Sequence, residues 1–256
     1  MKAFRIFLLI LIIIGIVLIF TQNIWVPKLV NRIISSEISQ QQVLKSTIPT
    51  PGQISITTQK INEENFSGTT VVISGTSPLV VKMREYIELT FAEFKKQANI
   101  DVPSIRARFG ADNPTANYEI YINSKYVESE KTESIVTDVY SYTGGAHGNT
   151  IYKVMTADFS SGKILSLSNV IKQEKQNIFT ELVKKKLNNW RPEGSDTSVV
   201  FTDNVKGLTF DSFMNWSLDD QNLTIYFDQY AIGPGVIGAT AFPLSLTELK
   251  DFFSPI

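Results

Sequence analysis

The sequence predicts an α+β fold, in which an antiparallel sheet carries helices packed on one face and is preceded by an N-terminal transmembrane helix. Three observations lead to this prediction. The chain opens with a long apolar run, helical and β-like patterns are grouped rather than alternating, and the β-like runs are joined by short turns. Grouped helices and strands are typical of α+β domains, and short turns connect antiparallel neighbours.

The first residues of the chain predict a membrane anchor. Residues 6–20 are uninterrupted apolar sequence, counting Gly15, and the run can extend to Val26 if Thr21, Gln22 and Asn23 lie near the far membrane interface. As a helix this segment spans about 30 Å, the thickness of a bilayer core, and the preceding Lys2 and Arg5 favour a cytoplasmic N-terminus. A cleaved signal peptide is the alternative, but no small-residue cleavage site follows the run. We therefore expect a single-pass signal anchor at residues 1–26 and an extracytoplasmic remainder.

Composition divides the remaining chain into a stalk and two domains. Residues 27–52 are rich in Ser, Gln and Ile and end in Pro-Thr-Pro-Gly, which predicts a stalk, unless their apolar side chains dock onto the folded domain. We expect a smaller α+β domain at residues 53–130 and a larger one at residues 131–256. The formal net charge of −1 excludes a nucleic-acid-binding protein, and the absence of cysteine excludes a lipoprotein anchor.

The smaller domain begins with β-like runs at residues 54–58 and 69–73. Ser77 and Pro78 then predict a helix start, since serine caps helices and proline suits the first helical position. Apolar residues three or four positions apart follow, and they predict an amphipathic helix that ends before Pro103: Val80, Met83, Ile87, Phe91, Phe94 and Ala98. A strand at residues 118–122 comes next.

The larger domain starts as an antiparallel meander. Alternating runs at residues 135–139 and 151–159 predict two of its strands. A helix is predicted at residues 173–190. Strands at residues 213–218, 223–227 and 241–246 follow, with a short helix at residues 246–253.

The connection between the first two strands of this domain carries the most distinctive motif. Residues 140–149 read Tyr-Ser-Tyr-Thr-Gly-Gly-Ala-His-Gly-Asn, and His147 is the only histidine of the chain. The glycines predict a tight, irregular turn. One reading makes His147 a general base beside Ser141 or Ser161, with Asp138 or Asp158 as a third group. The favoured reading is a turn-stabilising ring, since no G-x-S-x-G motif is present.

A second loop, at residues 230–238, is the other candidate binding segment. It is apolar and glycine-rich, and exposed apolar loops with an aromatic residue are typical of recognition sites. The alternative is that its aliphatic residues only cover the end of the sheet. The two segments together give the candidate binding residues: Tyr142, Gly144, Gly145, His147, Tyr230, Ile232, Pro234 and Val236.

The order of these motifs resembles a known family. The glycine motif at residues 142–149 is followed by a turn at 161–163, the helix at 173–190, and residues 223–230 with Pro234 and Gly238 beyond. This order is similar to the extracellular region of RsiV-type anti-sigma factors and the non-catalytic region of PdaC-type peptidoglycan deacetylases. The first half of the chain resembles the smaller companion domain of those proteins.

The resemblance implies a membrane-anchored binding or sensory module of the bacterial envelope. Its ligand would be an envelope protein or glycan, including lysozyme, which RsiV-type proteins bind. Only five residues precede the apolar run, so we expect no sigma-factor-binding segment. PdaC-type catalysis uses a metal held by an aspartate and two histidines, so a chain with one histidine is expected to be no enzyme and to bind no metal or cofactor. The alternatives are an envelope hydrolase or peptidoglycan-modifying enzyme that uses His147, and a scaffold that assists a separate partner.

Overall fold

The computed structural model describes residues 54–192 and 198–254, all of which belong to one compact unit. The predicted anchor at residues 1–26 and the predicted stalk at residues 27–52 lie outside the described residues. In the part that is described, no helix has both the length and the apolar character needed to span a membrane.

The first elements are a hairpin and a long helix. Strands β1 (Ser55–Asn62) and β2 (Phe66–Ser74) pair antiparallel, and helix α1 spans Pro78–Phe109. Ser77 caps α1 as predicted, because its side chain accepts a hydrogen bond from the Val80 amide at 3.4 Å.

The predicted end of α1 before Pro103 is wrong. Proline removes the amide that would bond the carbonyl of the residue four positions earlier, which is Asn99. Asn99 is exposed, so water can satisfy that carbonyl. Val102 is fully buried and continues the apolar face of the helix, which ends only where Gly110 adopts a φ of 95°.

A six-stranded sheet forms the centre of the molecule. After a 3-10 turn at Pro114–Ala116, the strands are β3 (Tyr118–Glu128), β4 (Thr132–Tyr142), β5 (Asn149–Asp158) and β6 (Ile164–Leu165), in the order β1-β2-β3-β4-β5-β6. The meander from β3 to β6 is antiparallel as predicted. The sheet as a whole is mixed, because β2 and β3 run parallel. Helix α1 connects these two strands, and a crossover of that length is what a parallel pair requires.

The predicted domain boundary between residues 130 and 131 falls inside a strand hairpin. Strands β3 and β4 pair continuously from Glu119 opposite Tyr142 to Glu128 opposite Glu133, so the sheet does not divide there. The first hydrophobic core lies between α1 and the sheet, and its last buried residue in the sequence is Ala157. The buried residues of the second core follow in the sequence, from Leu167 onward.

The second core is built from short helices and a small sheet. Helices α2 (Leu167–Val170), α3 (Gln176–Asn188), α4 (Thr202–Gly207) and α5 (Leu246–Leu249) surround the antiparallel strands β7 (Trp216–Leu218), β8 (Asn222–Phe227) and β9 (Thr240–Ser245). Short 3-10 helices occupy Gln173–Lys175, Phe210–Phe213 and Gly235–Ile237. Phe179 and Phe213 pack edge to face at 6.0 Å in the centre of this core.

The two faces of the large sheet have different neighbours. Residues of β4 alternate, so that Ile135, Thr137 and Val139 face α1, where Thr137 Oγ1 lies 3.2 Å from the sulfur of Met83. The opposite face meets the second core, since Thr156 Oγ1 donates a hydrogen bond to the Trp216 carbonyl at 2.7 Å. We call this side of β3, β4 and β5 the open face, because α1 does not cover it.

Candidate functional site

The glycine turn between β4 and β5 is held by a side-chain hydrogen bond to its backbone and by packing on a neighbouring segment. Gly144 and Gly145 adopt φ angles of 81° and 120°, which disfavour residues with a Cβ. The Tyr142 hydroxyl donates to the Gly145 carbonyl at 2.9 Å. A Cβ at Gly144 would lie 2.9 Å from the Thr115 carbonyl oxygen, so the turn also packs closely on the segment before β3. The prediction of a tight, irregular connection is confirmed.

The end of the turn fits against a tyrosine ring. Gly148 is buried, and a Cβ at this position would overlap the Cζ and hydroxyl oxygen of Tyr140. The Tyr140 ring in turn lies 5.9 Å from that of Tyr121, its partner on β3. The turn is therefore fixed to the open face at Gly148 while His147 beside it remains exposed.

The second candidate loop is tied to the edge of β5. The Gln229 amide donates to the Thr150 carbonyl at 3.0 Å, and the Thr150 amide donates to Gln229 Oε1 at 2.9 Å. The side-chain amide of Gln229 also donates to the Gly235 carbonyl at 3.0 Å. These three hydrogen bonds set the position of the loop relative to the glycine turn, because Thr150 lies just after that turn.

Tyr230 has a strained backbone. Its φ of 70° is the one positive value at a non-glycine residue in the described ranges. Such outliers concentrate at functional sites and persist where the surroundings enforce them. Here Asn204 Nδ2 donates to the carbonyls of Tyr230 and Ala231 at 3.4 and 3.2 Å, and the Tyr230 ring lies on Gly235, where a Cβ would overlap it.

The two candidate segments meet through a single hydrogen bond. Tyr230 Oη lies 2.8 Å from His147 Nε2, although the residues are 83 positions apart, and their rings are 5.9 Å apart. His147 Nδ1 lies 2.9 Å from the Gly148 carbonyl, which only accepts, so Nδ1 carries a proton. In the neutral imidazole, Nε2 then accepts from the Tyr230 hydroxyl. The phenol oxygen keeps its lone pairs for another donor, and Tyr230 is 43% exposed.

The predicted binding residues differ in their accessibility. His147 and Tyr230 are exposed, Val236 is 91% exposed, and Pro234 is half-buried before the 3-10 helix that carries Val236. Ile232 is 1% exposed and belongs to the second core, so its side chain is not a surface contact.

The serine–histidine–aspartate arrangement considered from the sequence is not formed among the described residues. The ring nitrogens of His147 bond to Gly148 and Tyr230, not to a serine or aspartate. Asp158 Oδ1 instead accepts from the Ser160 hydroxyl and from the amide and hydroxyl of Ser161, at 2.6 to 2.7 Å. These hydrogen bonds lower the pKa of Asp158 to about 2, and they place Ser161 in a structural turn.

The open face carries a row of tyrosines, of which the sequence analysis had identified Tyr142 alone. Strand register places Tyr121 opposite Tyr140 and places Asp138 between Asn123 and Tyr152. Tyr140 and Tyr142 are two positions apart on a strand, and that spacing was the available signal that both lie on one face.

A cavity of about 240 Å³ lies further along the open face, lined mainly by Asn123, Lys125, Asp138, Tyr152 and Tyr226. The two tyrosine rings meet edge to face at 5.0 Å, and burial raises the pKa of each phenol. Across residues 54–192 and 198–254, no three histidine, cysteine or acidic side chains cluster in a way that could hold a metal ion.

Two family models match adjacent parts of this chain. Residues 37–150 match the model described as Deacetylase PdaC, and residues 168–247 match the model described as Protein of unknown function (DUF3298). The chain thus contains a PdaC-like domain followed by a DUF3298 domain. This confirms the PdaC part of the resemblance noted in the sequence, and the RsiV part stays a prediction.

The chain is also similar to individual proteins. The chain is 23% identical over 172 residues to the peptidoglycan-N-acetylmuramic acid deacetylase PdaC of Bacillus subtilis, covering 66% of this chain and 35% of that protein. A solved DUF3298-family protein from Bacteroides fragilis has a TM-score of 0.54 at 13% identity, over 81% of this chain and 96% of the other, and it shows the fold alone. A DUF3298-family structure from Pseudomonas aeruginosa has a TM-score of 0.49 at 17% identity over the same shares.

These findings correct one expectation. The single histidine led us to expect that the chain is no enzyme, but the family model over residues 37–150 is described as a deacetylase and the Bacillus subtilis relative is named as one. The expectation was wrong because it rested on one arrangement of metal ligands, that of an aspartate and two histidines. The chain spans about a third of that relative's length.

Proposed function

We propose that this chain, which pairs a PdaC-like domain with a DUF3298 domain, acts in the modification of peptidoglycan at the bacterial envelope. In this proposal the chain contacts the glycan through the His147–Tyr230 site. The observation that carries it is the exposed phenol–imidazole hydrogen bond of 2.8 Å, made between the two segments that the sequence marks as candidates.

The chemistry of the pair suits a carbohydrate. Glycan strands present hydroxyl and acetamido N–H groups, which donate hydrogen bonds. The Tyr230 oxygen is an acceptor for such donors, because its own proton is directed at His147 Nε2. Its backbone is held by Asn204 and its ring by Gly235, so little conformational entropy is lost when a ligand binds.

The proposed location follows from the N-terminal apolar run. An anchor at residues 1–26 would hold the described domains outside the cytoplasmic membrane, where peptidoglycan lies. This location agrees with the activity for which the Bacillus subtilis relative is named, that of a peptidoglycan deacetylase.

Binding to insoluble peptidoglycan tests the proposal. The full-length chain, purified in mild detergent, is sedimented with purified peptidoglycan over a range of protein concentrations. We expect Tyr230→Phe to weaken binding about fivefold, since a hydrogen bond is worth about 1 kcal/mol. Tyr126→Phe is the matched control, because Tyr126 lies opposite Ile135 on the α1 side of the sheet and its hydroxyl donates to Glu133.

Acetate release from the same peptidoglycan tests the modification itself. We expect the wild type to release acetate, and His147→Ala and Tyr230→Phe to reduce the release in step with their loss of binding. A chain that binds lysozyme but neither sediments with peptidoglycan nor releases acetate would overturn the proposal and favour a lysozyme-binding role.

A further inference from the structure

The two edges of the large sheet are treated differently by the rest of the chain. At the β5 edge, side-chain oxygens accept hydrogen bonds from three outward amides at 2.7 to 3.0 Å: Gln229 from Thr150, Asp228 from Tyr152, and Asn215 from Val154. The opposite edge is β1. An unpaired strand edge is a place where another chain can add, and proteins usually cover or protect it.

The register of the first hairpin shows which backbone groups of β1 point away from the sheet. The Glu63 amide donates to the Phe66 carbonyl at 2.9 Å, so these two residues form a hydrogen-bonded pair. Such pairs alternate along an antiparallel ladder, and the register of β1 with β2 is unbroken. The outward amides and carbonyls therefore belong to Ile56, Thr58 and Lys60. Within residues 54–192 and 198–254, no hydrogen bond reaches these groups.

Strand β1 lacks most of the features that protect an edge. It is 8 residues long, contains no proline and no bulge, and carries one charge, that of Lys60. Residues 57–60 are all exposed, so both faces of the strand are open and polar at its middle. The neighbouring cavity of about 270 Å³ lies between β2 and α1 and includes only Gln59 from β1. A foreign peptide strand would find no row of side-chain pockets along β1, and such pockets give peptide recognition its specificity.

We infer that β1 pairs with β1 of a second copy of this chain, so that two large sheets join edge to edge about a twofold axis. Antiparallel pairing centred on Thr58 sets that residue opposite its counterpart and sets Ile56 opposite Lys60. Residues paired in this way exchange two hydrogen bonds, so every outward group of the three residues finds a partner. The register also keeps the two Lys60 side chains apart, whereas centring on Lys60 would place like charges opposite each other.

A contact of this kind is isologous, which is the commonest arrangement in homodimers. It is also narrow, because one strand pair contributes most of it, so we expect a reversible, concentration-dependent dimer. The inference goes beyond the proposed function, since it requires neither the glycan nor the His147–Tyr230 pair.

The absence of cysteine from the chain allows a direct cross-linking test. The full-length Thr58→Cys protein, in mild detergent, is oxidised with copper phenanthroline and run on a non-reducing gel. It should form a disulfide-linked dimer, because the Cα atoms of a hydrogen-bonded pair lie about 5.5 Å apart, within reach of a disulfide. Val72→Cys is the matched control, since Val72 is 40% exposed on β2, opposite Thr57. Its two copies would be about 14 Å apart, across three strand spacings, and should not cross-link.

Two further cysteine variants test the register. Ile56 of one copy is expected opposite Lys60 of the other, so a mixture of Ile56→Cys and Lys60→Cys proteins should cross-link. Each variant alone should give at most about a fifth of that yield, because its two cysteines lie well beyond the reach of a disulfide.

A proline substitution tests the role of the outward amide. Thr58→Pro removes that amide and leaves the bonds to β2 in place, as proline is tolerated where the N–H of an edge strand faces outward. Two hydrogen bonds are lost per dimer, so the dissociation constant from sedimentation velocity should rise about tenfold or more. Thr58→Val keeps the amide and the branched side chain and should leave the constant unchanged. Circular dichroism checks that both variants are folded.

Each unfavourable result overturns the inference. Cross-linking of Thr58→Cys no greater than that of Val72→Cys does so, as does a wild type that is monomeric at every concentration. An unchanged dissociation constant in folded Thr58→Pro shows that the copies associate through another surface or a shared micelle. If Thr58→Pro does not fold, the mixture of Ile56→Cys and Lys60→Cys decides, and a yield no higher than that of the separate variants overturns the pairing.

Discussion

Substituting Gly148 with alanine directly tests the close contact between the glycine turn and the Tyr140 ring. The added methyl group would overlap Cζ, Oη and Cε2 of the Tyr140 ring. Carbon atoms normally approach no closer than about 3.5 Å, and the built Cβ falls short of that distance by about 1 Å. Either the ring or the turn must therefore move.

The expected cost follows from what the ring contacts. Tyr140 is half-buried and packs against Tyr121, so its displacement disturbs a ring pair at 5.9 Å as well as the turn. Overpacking of this kind costs about 1 to 3 kcal/mol, and we expect about 2 kcal/mol for Gly148→Ala. Gly207→Ala is the control, because nothing lies within 4 Å of a Cβ there and alanine favours the helix.

Urea unfolding followed by circular dichroism measures these free energies. The cost of Gly148→Ala should fall to below about 0.5 kcal/mol in a Tyr140→Ala background, since the obstructing ring is then absent. The packing of Gly148 against the Tyr140 ring would be refuted by either of two results. Gly148→Ala could be no more destabilising than Gly207→Ala, or its loss of unfolding free energy could be unchanged when the Tyr140 ring is absent.

Three further predictions concern the sheet, the acid response and the N-terminus. Gly68→Ala should lower the free energy of unfolding by about 3 kcal/mol or more, because the φ of Gly68 is 145° and an added Cβ would overlap the Ile120 carbonyl. Gly110→Ala is the control and should lower the free energy of unfolding by less in the same urea assay, because its φ is 95° and the space around its Cβ is open. Since folding depresses the pKa of Asp158 from 3.8 to about 2, the stability contributed by its charged form should be lost as pH falls through this window, and unfolding curves of Asp158→Asn should lack that part of the acid dependence. N-terminal sequencing of the mature protein should find Met1 or Lys2, whereas a start between residues 21 and 30 would indicate cleavage and secretion.

Local pattern was sufficient to predict many elements. The spacing of Met83, Ile87 and Phe94 identified α1, and alternation at residues 135–139 identified β4, because both depend on one face meeting a core. The end of α1 was missed since proline is tolerated where the freed carbonyl reaches water. The parallel pairing of β2 with β3 was missed because it depends on where the long helix returns the chain.

The candidate site, too, was predicted only in part from the sequence. The glycine turn and the loop at residues 230–238 were identified by composition, yet nothing in the sequence indicated that they touch. Their contact depends on Gln229 reaching Thr150 across the sheet edge and on the unusual φ of Tyr230, both of which are tertiary effects. Ile232 was misplaced for a related reason, since composition does not tell which aliphatic residue of a loop faces inward.

The hydrogen bond between His147 and Tyr230 also bears on how this protein can evolve. His147 falls within the stretch matched by the PdaC model and Tyr230 within the stretch matched by the DUF3298 model. Neither module can form the pair when it is inherited alone. A recombination event that joins either module to a different neighbour would lose this hydrogen bond, so selection on this site would favour transmission of the two modules as a single unit.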